Sequence, residues 1–298
     1  MLAGLSAFPL TPMDERAIDE AAFIRLVQHL AAAGVDSIGV LGSTGSYAYL
    51  TRAERKRIAT LAVQHAGGIP VLVGIGALRT RDVLDLAEDA QRAGASAVLL
   101  APVSYQKLRD DEVFGLYEAT SRTLSVPLCV YDNPATTQFT FSDALHGRIA
   151  ALPAVRSIKI PPLPADPAQA RERVQRLRAL IPNHVSLGIS GDASAATGLN
   201  AGCDAWHSVI GGLFPELALA LTRHALAGQA PQATQVSQRL DPLWALYARH
   251  GGSLRVVATA AELLGLARRP CLPLPLRTLD GADRQAVADC LVELGLSA

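Results

Sequence analysis

"RAGASAVLLAP" (residues 92–102) carries the signal from which the fold is read. Ala-Gly is followed by one residue, then a small polar residue, then an apolar run. The same order recurs in "AAGVDSIGVLG" (32–42) and "NAGCDAWHSVIGG" (200–212). A glycine just past a helix supplies the left-handed position that ends it, and a short apolar run suits a strand buried on both faces. Each copy therefore predicts a helix-to-strand junction. Gly34 and Gly94 lie 60 residues apart, and Gly94 and Gly202 lie 108 apart. At about 25–30 residues per βα unit these gaps hold two and four units, so the copies precede strands two, four and eight.

The intervening sequence fits that count. Strands are expected in "LSAFPLT", "SIGVLG", "PVLVGIG", "AVLLAP", "PLCVYDN", "VRSIKI", "VSLGIS" and "DAWHSVI". Phe23, Leu26, Val27 and Leu30 follow helical spacing, as do Val83, Leu86, Ala87 and Ala90. Thr51 to Glu54 reads as a capping box, and Asp166-Pro167 as an N-cap followed by proline at the first helical position. Eight strands alternating with helices predict a parallel (β/α)8 TIM barrel over residues 1–212, an α/β fold. Beyond residue 212 the strand signals stop, and residues 213–298 read as a C-terminal helical appendix packed on the barrel.

Composition narrows the function classes. Of the 298 residues, 50% are hydrophobic, and the formal net charge is zero, so charge gives no reason to expect nucleic acid or an anionic membrane as partner. No apolar run is long enough to span a bilayer, and the start lacks a basic segment followed by a long apolar one. Cys129, Cys203, Cys271 and Cys290 are scattered without CxxC spacing, which suits a reducing compartment. A cytoplasmic protein is expected. The histidines form no HxH or HExxH pair, so a metal centre is not expected.

One residue stands out chemically. "AVRSIKIPPLP" (154–164) places Lys159 between two isoleucines, in a chain with only three lysines. Lys56 sits in a run of charges and Lys107 in a polar loop; Lys159 alone is flanked by strand residues. A strand-end lysine can snorkel to the surface. A desolvated one can instead lose its proton and attack a ketone, which arginine cannot do. In the barrel reading Lys159 ends strand six, at the face where such barrels build active sites. The same face collects "GSTGS" (42–46), "APVSYQ" (101–106), "YDNPATT" (131–137) and "SGD" (190–192). GSTGS suits an anion-binding turn or an ordinary βα turn. Tyr131 reads either as a buried structural tyrosine or as a site residue, and His207 as structural or pocket-lining.

Taken in order and spacing, the turn at 42–45, the tyrosine-proline stretch at 131–134, Ile158-Lys159 and the SGD at 190–192 resemble the dihydrodipicolinate synthase and N-acetylneuraminate lyase family of class I pyruvate aldolases. The resemblance spans nearly the whole chain. It implies that Lys159 forms a Schiff base with pyruvate or another 2-keto acid, with no cofactor. It also implies that Tyr131 is the acid/base group, Ser43 the relay hydroxyl, and Thr44 a carboxylate-binding group. Trp206 would border the bound keto acid, and the assembly would be a homotetramer built as a dimer of dimers. Three positions depart from the family pattern. Ser46 stands where glutamate is common, and Thr136 where synthases carry an arginine for the aldehyde's distal carboxylate. The inter-subunit tyrosine aligns with Ser104, with Tyr105 as the available substitute. The expected activity is therefore a lyase, aldolase or dehydratase acting on pyruvate or a 2-keto-3-deoxy acid. The alternatives are 4-hydroxy-tetrahydrodipicolinate synthase and a non-catalytic keto-acid-binding barrel.

Overall fold

The computed structural model describes residues 3–297, so the outer limits of the two expected regions, at residues 1 and 298, lie outside the described residues. Among the described residues the strands are β1 (Gly4–Ala7), β2 (Ser37–Val40), β3 (Val71–Gly74), β4 (Ala97–Leu100), β5 (Leu128–Tyr131), β6 (Val155–Ile160), β7 (Ser186–Ser190) and β8 (Ala205–Ser208). Each pairs in parallel with its sequence neighbour, and β8 pairs with β1 to close the ring. Seven fall within the segments expected from sequence, and β1 begins one residue before its segment, at Gly4. Gly34 and Gly94 end their helices in the left-handed region, at φ 72° and 90°, as the repeat requires. Thr51 and Glu54 form the expected capping box, and Asp166 accepts from the Gln169 N–H with Pro167 opening the helix.

Alternation along the strands sorts side chains into two layers. Outward-facing Leu5, Ile38, Val73, Val98, Val130 and Ile158 are buried under the surrounding helices. Phe8, Leu72, Leu99, Cys129 and Tyr131 make up a separate apolar cluster inside the ring. The helix Pro215–Leu226 packs against β1 and against the helix Glu20–Ala33. Within the appendix, two consecutive helices run over Ala230–Gln238 and Asp241–Arg249. Pro242 lies in the first turn of the second, where its missing N–H costs nothing, whereas inside one continuous helix it would break a bond. Helix Asp241–Arg249 then packs against the short turn Asp192–Ser194 at the end of β7. The appendix thus buttresses the active-site face.

A close approach between β2 and β3 sets the turn on which the site depends. Leu41 has φ 58°, an unusual left-handed value for a non-glycine residue. Its carbonyl turns toward Gly74, where a Cβ would lie 1.8 Å from the oxygen. Gly74→Ala is expected to cost about 3 kcal/mol, the upper end for overpacking. Gly115→Ala serves as control, since its added methyl would meet nothing within 4 Å beyond its chain neighbours and the backbone of its own helix. That exposed helical change is expected to stabilise by about 0.5–1 kcal/mol. Urea denaturation of both variants measures the contrast.

Candidate active site

Lys159 is brought inward by β6 alternation and is 5% exposed. Its Nζ lies 4.2 Å from the centroid of the Phe8 ring and 4.0 Å from that of Tyr131. Tyr131 and Lys159 are direct partners across the β5–β6 ladder, so the pairing itself fixes phenol beside amine. Among the described residues no carboxylate lies within ion-pairing distance of Lys159. The barrel interior is thus shaped around one amine held between two aromatic faces.

The turn after β2 meets the end of β5 above this amine. Ser43 Oγ is 3.4 Å from the Tyr131 hydroxyl. Thr44 beside it is buried, and the Ser46 N–H closes the turn on the Ser43 carbonyl at 3.1 Å. The Asn133 Nδ2 amide donates to the Tyr131 oxygen at 2.9 Å and reaches Ser43 Oγ at 3.4 Å. Sequence reading missed Asn133 because an asparagine before proline ordinarily marks a turn or helix cap. Tyr47 adds a second phenol to the wall. Burial, then the neighbouring Tyr131, pushes its hydroxyl up to about 12, while Arg55 pulls the other way. Arg55 is itself buried; its guanidinium stands 5.2 Å from the Tyr47 ring and donates to the Gly76 and Gly74 carbonyls at 2.8 and 2.9 Å.

Not every expected residue joins this group. Trp206 faces outward from β8 and is fully buried in the outer layer. Its Nε1 donates to Asp192 at 3.1 Å. The expectation that Trp206 borders the keto acid is therefore corrected: on β8 it is His207 that points into the ring, one residue further on. A Cβ on Gly188 would lie 2.3 Å from His207 Nε2, so the glycine opposite makes room for the imidazole. His207 also meets the edge of Phe8, with ring centroids 5.8 Å apart. Tyr105 is 90% exposed on the loop after β4 and makes no hydrogen bond to Ser43, Tyr131 or Asn133 of its own chain.

Asp192, from the SGD motif, is a staple and not a site base. Its carboxylate accepts from Trp206 Nε1 and from the Val209 and Ile210 N–H groups at 3.0 and 2.7 Å. Burial pushes it up to about 6, while the Ile210, Val209 and Trp206 donors pull it down. Cys129, the other potential nucleophile inside the ring, is buried with its thiol raised to about 11. Among the described residues no group of three or more His, Cys, Asp or Glu side chains is arranged to hold a metal ion.

Burial, and then the nearby Lys159, lowers His207 well below the ordinary histidine value of 6.5. The unfolded chain takes up this proton first, so it binds more protons than the folded chain as pH falls through 6.5. His207 therefore contributes stability above that pH which is lost on acidification. The stability difference between the wild type and His207→Leu should fall between pH 6.5 and 5, by at most about 1.4 kcal/mol per pH unit. Chemical denaturation at stepped pH measures it.

The site can be compared with known proteins. A dihydrodipicolinate synthase from Agrobacterium tumefaciens superposes with a TM-score of 0.94 at 45% identity, covering 98% of each chain. A putative dihydrodipicolinate synthetase from Pseudomonas aeruginosa gives a TM-score of 0.89 at 28% identity, over 99% of this chain and 100% of that one. The 4-hydroxy-tetrahydrodipicolinate synthase of Hyphomonas neptunium is 30% identical over 296 residues, 97% of either chain. The model of the dihydrodipicolinate synthetase family matches residues 1–294. With barrel, inward lysine and neighbouring phenol all lying inside that match, the chain belongs to the dihydrodipicolinate synthetase family and is an enzyme of the lyase and synthase type found there.

Proposed function

We propose that this enzyme binds a 2-keto acid as a Schiff base on Lys159 and makes or breaks a bond at the adjacent carbon. The observation that carries the reading is the amine itself: buried, next to Tyr131 across the ladder, and between two rings. The unprotonated amine adds to the keto carbon, and the carbinolamine takes up a proton through Tyr131 and loses water to give a protonated imine. The imine draws electrons from the next carbon, which then loses a proton or a leaving group to give an enamine. The enamine adds to an aldehyde in the forward sense or is released by cleavage in reverse. Tyr131 and Ser43 carry protons to and from these intermediates, and Thr44 with the turn's N–H groups holds the carboxylate.

The acceptor divides two readings. The names of the curated relatives favour condensation of pyruvate with aspartate semialdehyde, the reaction of a 4-hydroxy-tetrahydrodipicolinate synthase, over a deoxy-acid substrate. One local observation favours the deoxy-acid reading. Thr136 occupies the position expected to grip a distal carboxylate, and its hydroxyl is held by Asn133 Nδ2 at 2.5 Å. A threonine hydroxyl does not supply the bidentate charge pairing that arginine gives. On that ground we favour a lyase or dehydratase acting on a 2-keto-3-deoxy acid. We extend the proposal to a cytoplasmic homotetramer, supported by four free, buried cysteines and by the solvent-facing Tyr105.

Borohydride with pyruvate should leave one reduced adduct on Lys159, detected by mass spectrometry and missing in Lys159→Ala. A protein that binds pyruvate but yields no adduct contradicts the reading. Pyruvate release and 2-keto-semialdehyde formation from a panel of keto-deoxy acids, set against condensation with aspartate semialdehyde, then separate the two acceptors. Efficient condensation with the semialdehyde and inactivity on the panel would overturn the deoxy-acid choice.

A further inference from the structure

We infer that Asn133 is a positioning residue for proton transfer: its side-chain amide donates to the Tyr131 phenol and aims that hydroxyl at Ser43 and the substrate. This rests on the Schiff-base reading of Lys159 and assigns a task that neither the motif resemblance nor the relatives' names contain.

The geometry is specific. The Asn133 amide carries two N–H hydrogens and has three hydroxyl oxygens around it: Thr136 Oγ1 at 2.5 Å, Tyr131 Oη at 2.9 Å and Ser43 Oγ at 3.4 Å. The two shorter contacts take the two hydrogens. Thr136 thereby fixes the amide plane, and the phenol oxygen accepts from it. With that lone pair engaged, the phenol's own hydrogen is free to turn toward Ser43 Oγ, 3.4 Å away, or toward a bound substrate. When Tyr131 passes this proton on, the Asn133 N–H faces the charge that develops on the oxygen.

A second observation separates this from ordinary helix capping. Asn133 stands at the N-cap of Pro134–Thr137, where asparagine normally accepts from a backbone N–H. Asp19, Thr51, Ser142 and Asp166 all do so at their own helices. Asn133 makes no such bond. Its backbone carbonyl receives the Thr136 and Thr137 N–H groups, and the side chain is turned to the phenol instead. Ser194 and Asp280 also leave their helix ends without a side-chain cap, so what distinguishes Asn133 is that its donors are directed to Thr136 and the phenol.

Exchange of the pyruvate methyl hydrogens for deuterium, followed by NMR in D2O, reads enamine formation with no acceptor present. Borohydride trapping reads imine formation separately. Asn133→Val should lower the maximal exchange rate about 10- to 100-fold, the span between one lost hydrogen bond and a lost acid/base contribution. Its KM for pyruvate should stay within about twofold of wild type and its trapping should persist, since binding and imine formation do not need the amide. Asn133→Asp keeps the size but puts an acceptor where the donor was, and it should be equally slow in exchange. It also keeps the test valid if the valine variant fails to fold. Wild-type exchange in either folded variant overturns the inference, as does a slowing that is matched by an equal loss of trapping or rise in KM. A wild-type enzyme that neither traps nor exchanges pyruvate fails at Lys159 itself, and the inference falls with that reading.

Discussion

The structure depends on how a single amine is accommodated inside a closed ring of strands. A buried ammonium needs compensation, and the usual partner is a carboxylate. Lys159 has instead two aromatic faces, Phe8 and Tyr131, at 4.2 and 4.0 Å. Such contacts attract a cation modestly, by about 0.5–2 kcal/mol, and leave the nitrogen without a fixed anionic partner. In the proposed function an anionic keto acid brings the negative charge that the nearby described residues do not. The same arrangement keeps the amine free to become a nucleophile, because no carboxylate ties it down as a permanent ion pair. Selecting lysine in a chain rich in arginine follows from this, since a guanidinium stays charged and does not form an imine.

Holding a substrate against that amine requires a rigid wall. Leu41 accepts an unfavourable φ of 58° to start the turn that carries Ser43 and Thr44, and Gly74 clears the space for its carbonyl. Strain of this kind persists where the surroundings over-determine it. Arg55 adds to the constraint by donating to two carbonyls at the end of β3, while Asp192 ties the end of β7 to the segment after β8. Helix Asp241–Arg249 backs the Asp192 turn, which gives the C-terminal region a share in shaping the active-site face. Residues far from Lys159 in sequence thus set the distances at which Tyr131 meets both Lys159 and Ser43.

The barrel is legible because its signals are local and recurrent: a helix-ending glycine followed by an apolar run returns at spacings that are multiples of one βα unit. The barrel reading sends the strand ends that carry Lys159, Tyr131 and Ser43 to one face, but only the family resemblance joins them into one expected chemistry. Trp206 shows the limit. A strand's inward face is set by register, and a slip of one residue exchanges the two faces; "AWHS" is buried on both sides, so hydrophobicity does not tell them apart. From sequence His207 therefore reads only as structural or pocket-lining, while the resemblance points to its neighbour Trp206. Asn133 was hidden for another reason, since its sequence context is that of a cap and only the side-chain direction shows otherwise. Phe8 likewise reads as plain core until its ring is seen against the lysine. The break between the helices Ala230–Gln238 and Asp241–Arg249 is marked by Pro242.

The most direct measurement is a crystal structure of the enzyme soaked with pyruvate without reductant. The account predicts continuous density from Lys159 Nζ to the keto carbon, with the carboxylate on the Ser43–Thr44 turn and the methyl group toward Tyr131. Pyruvate bound with its keto carbon detached from Lys159, or bound outside the ring of strands, would contradict it.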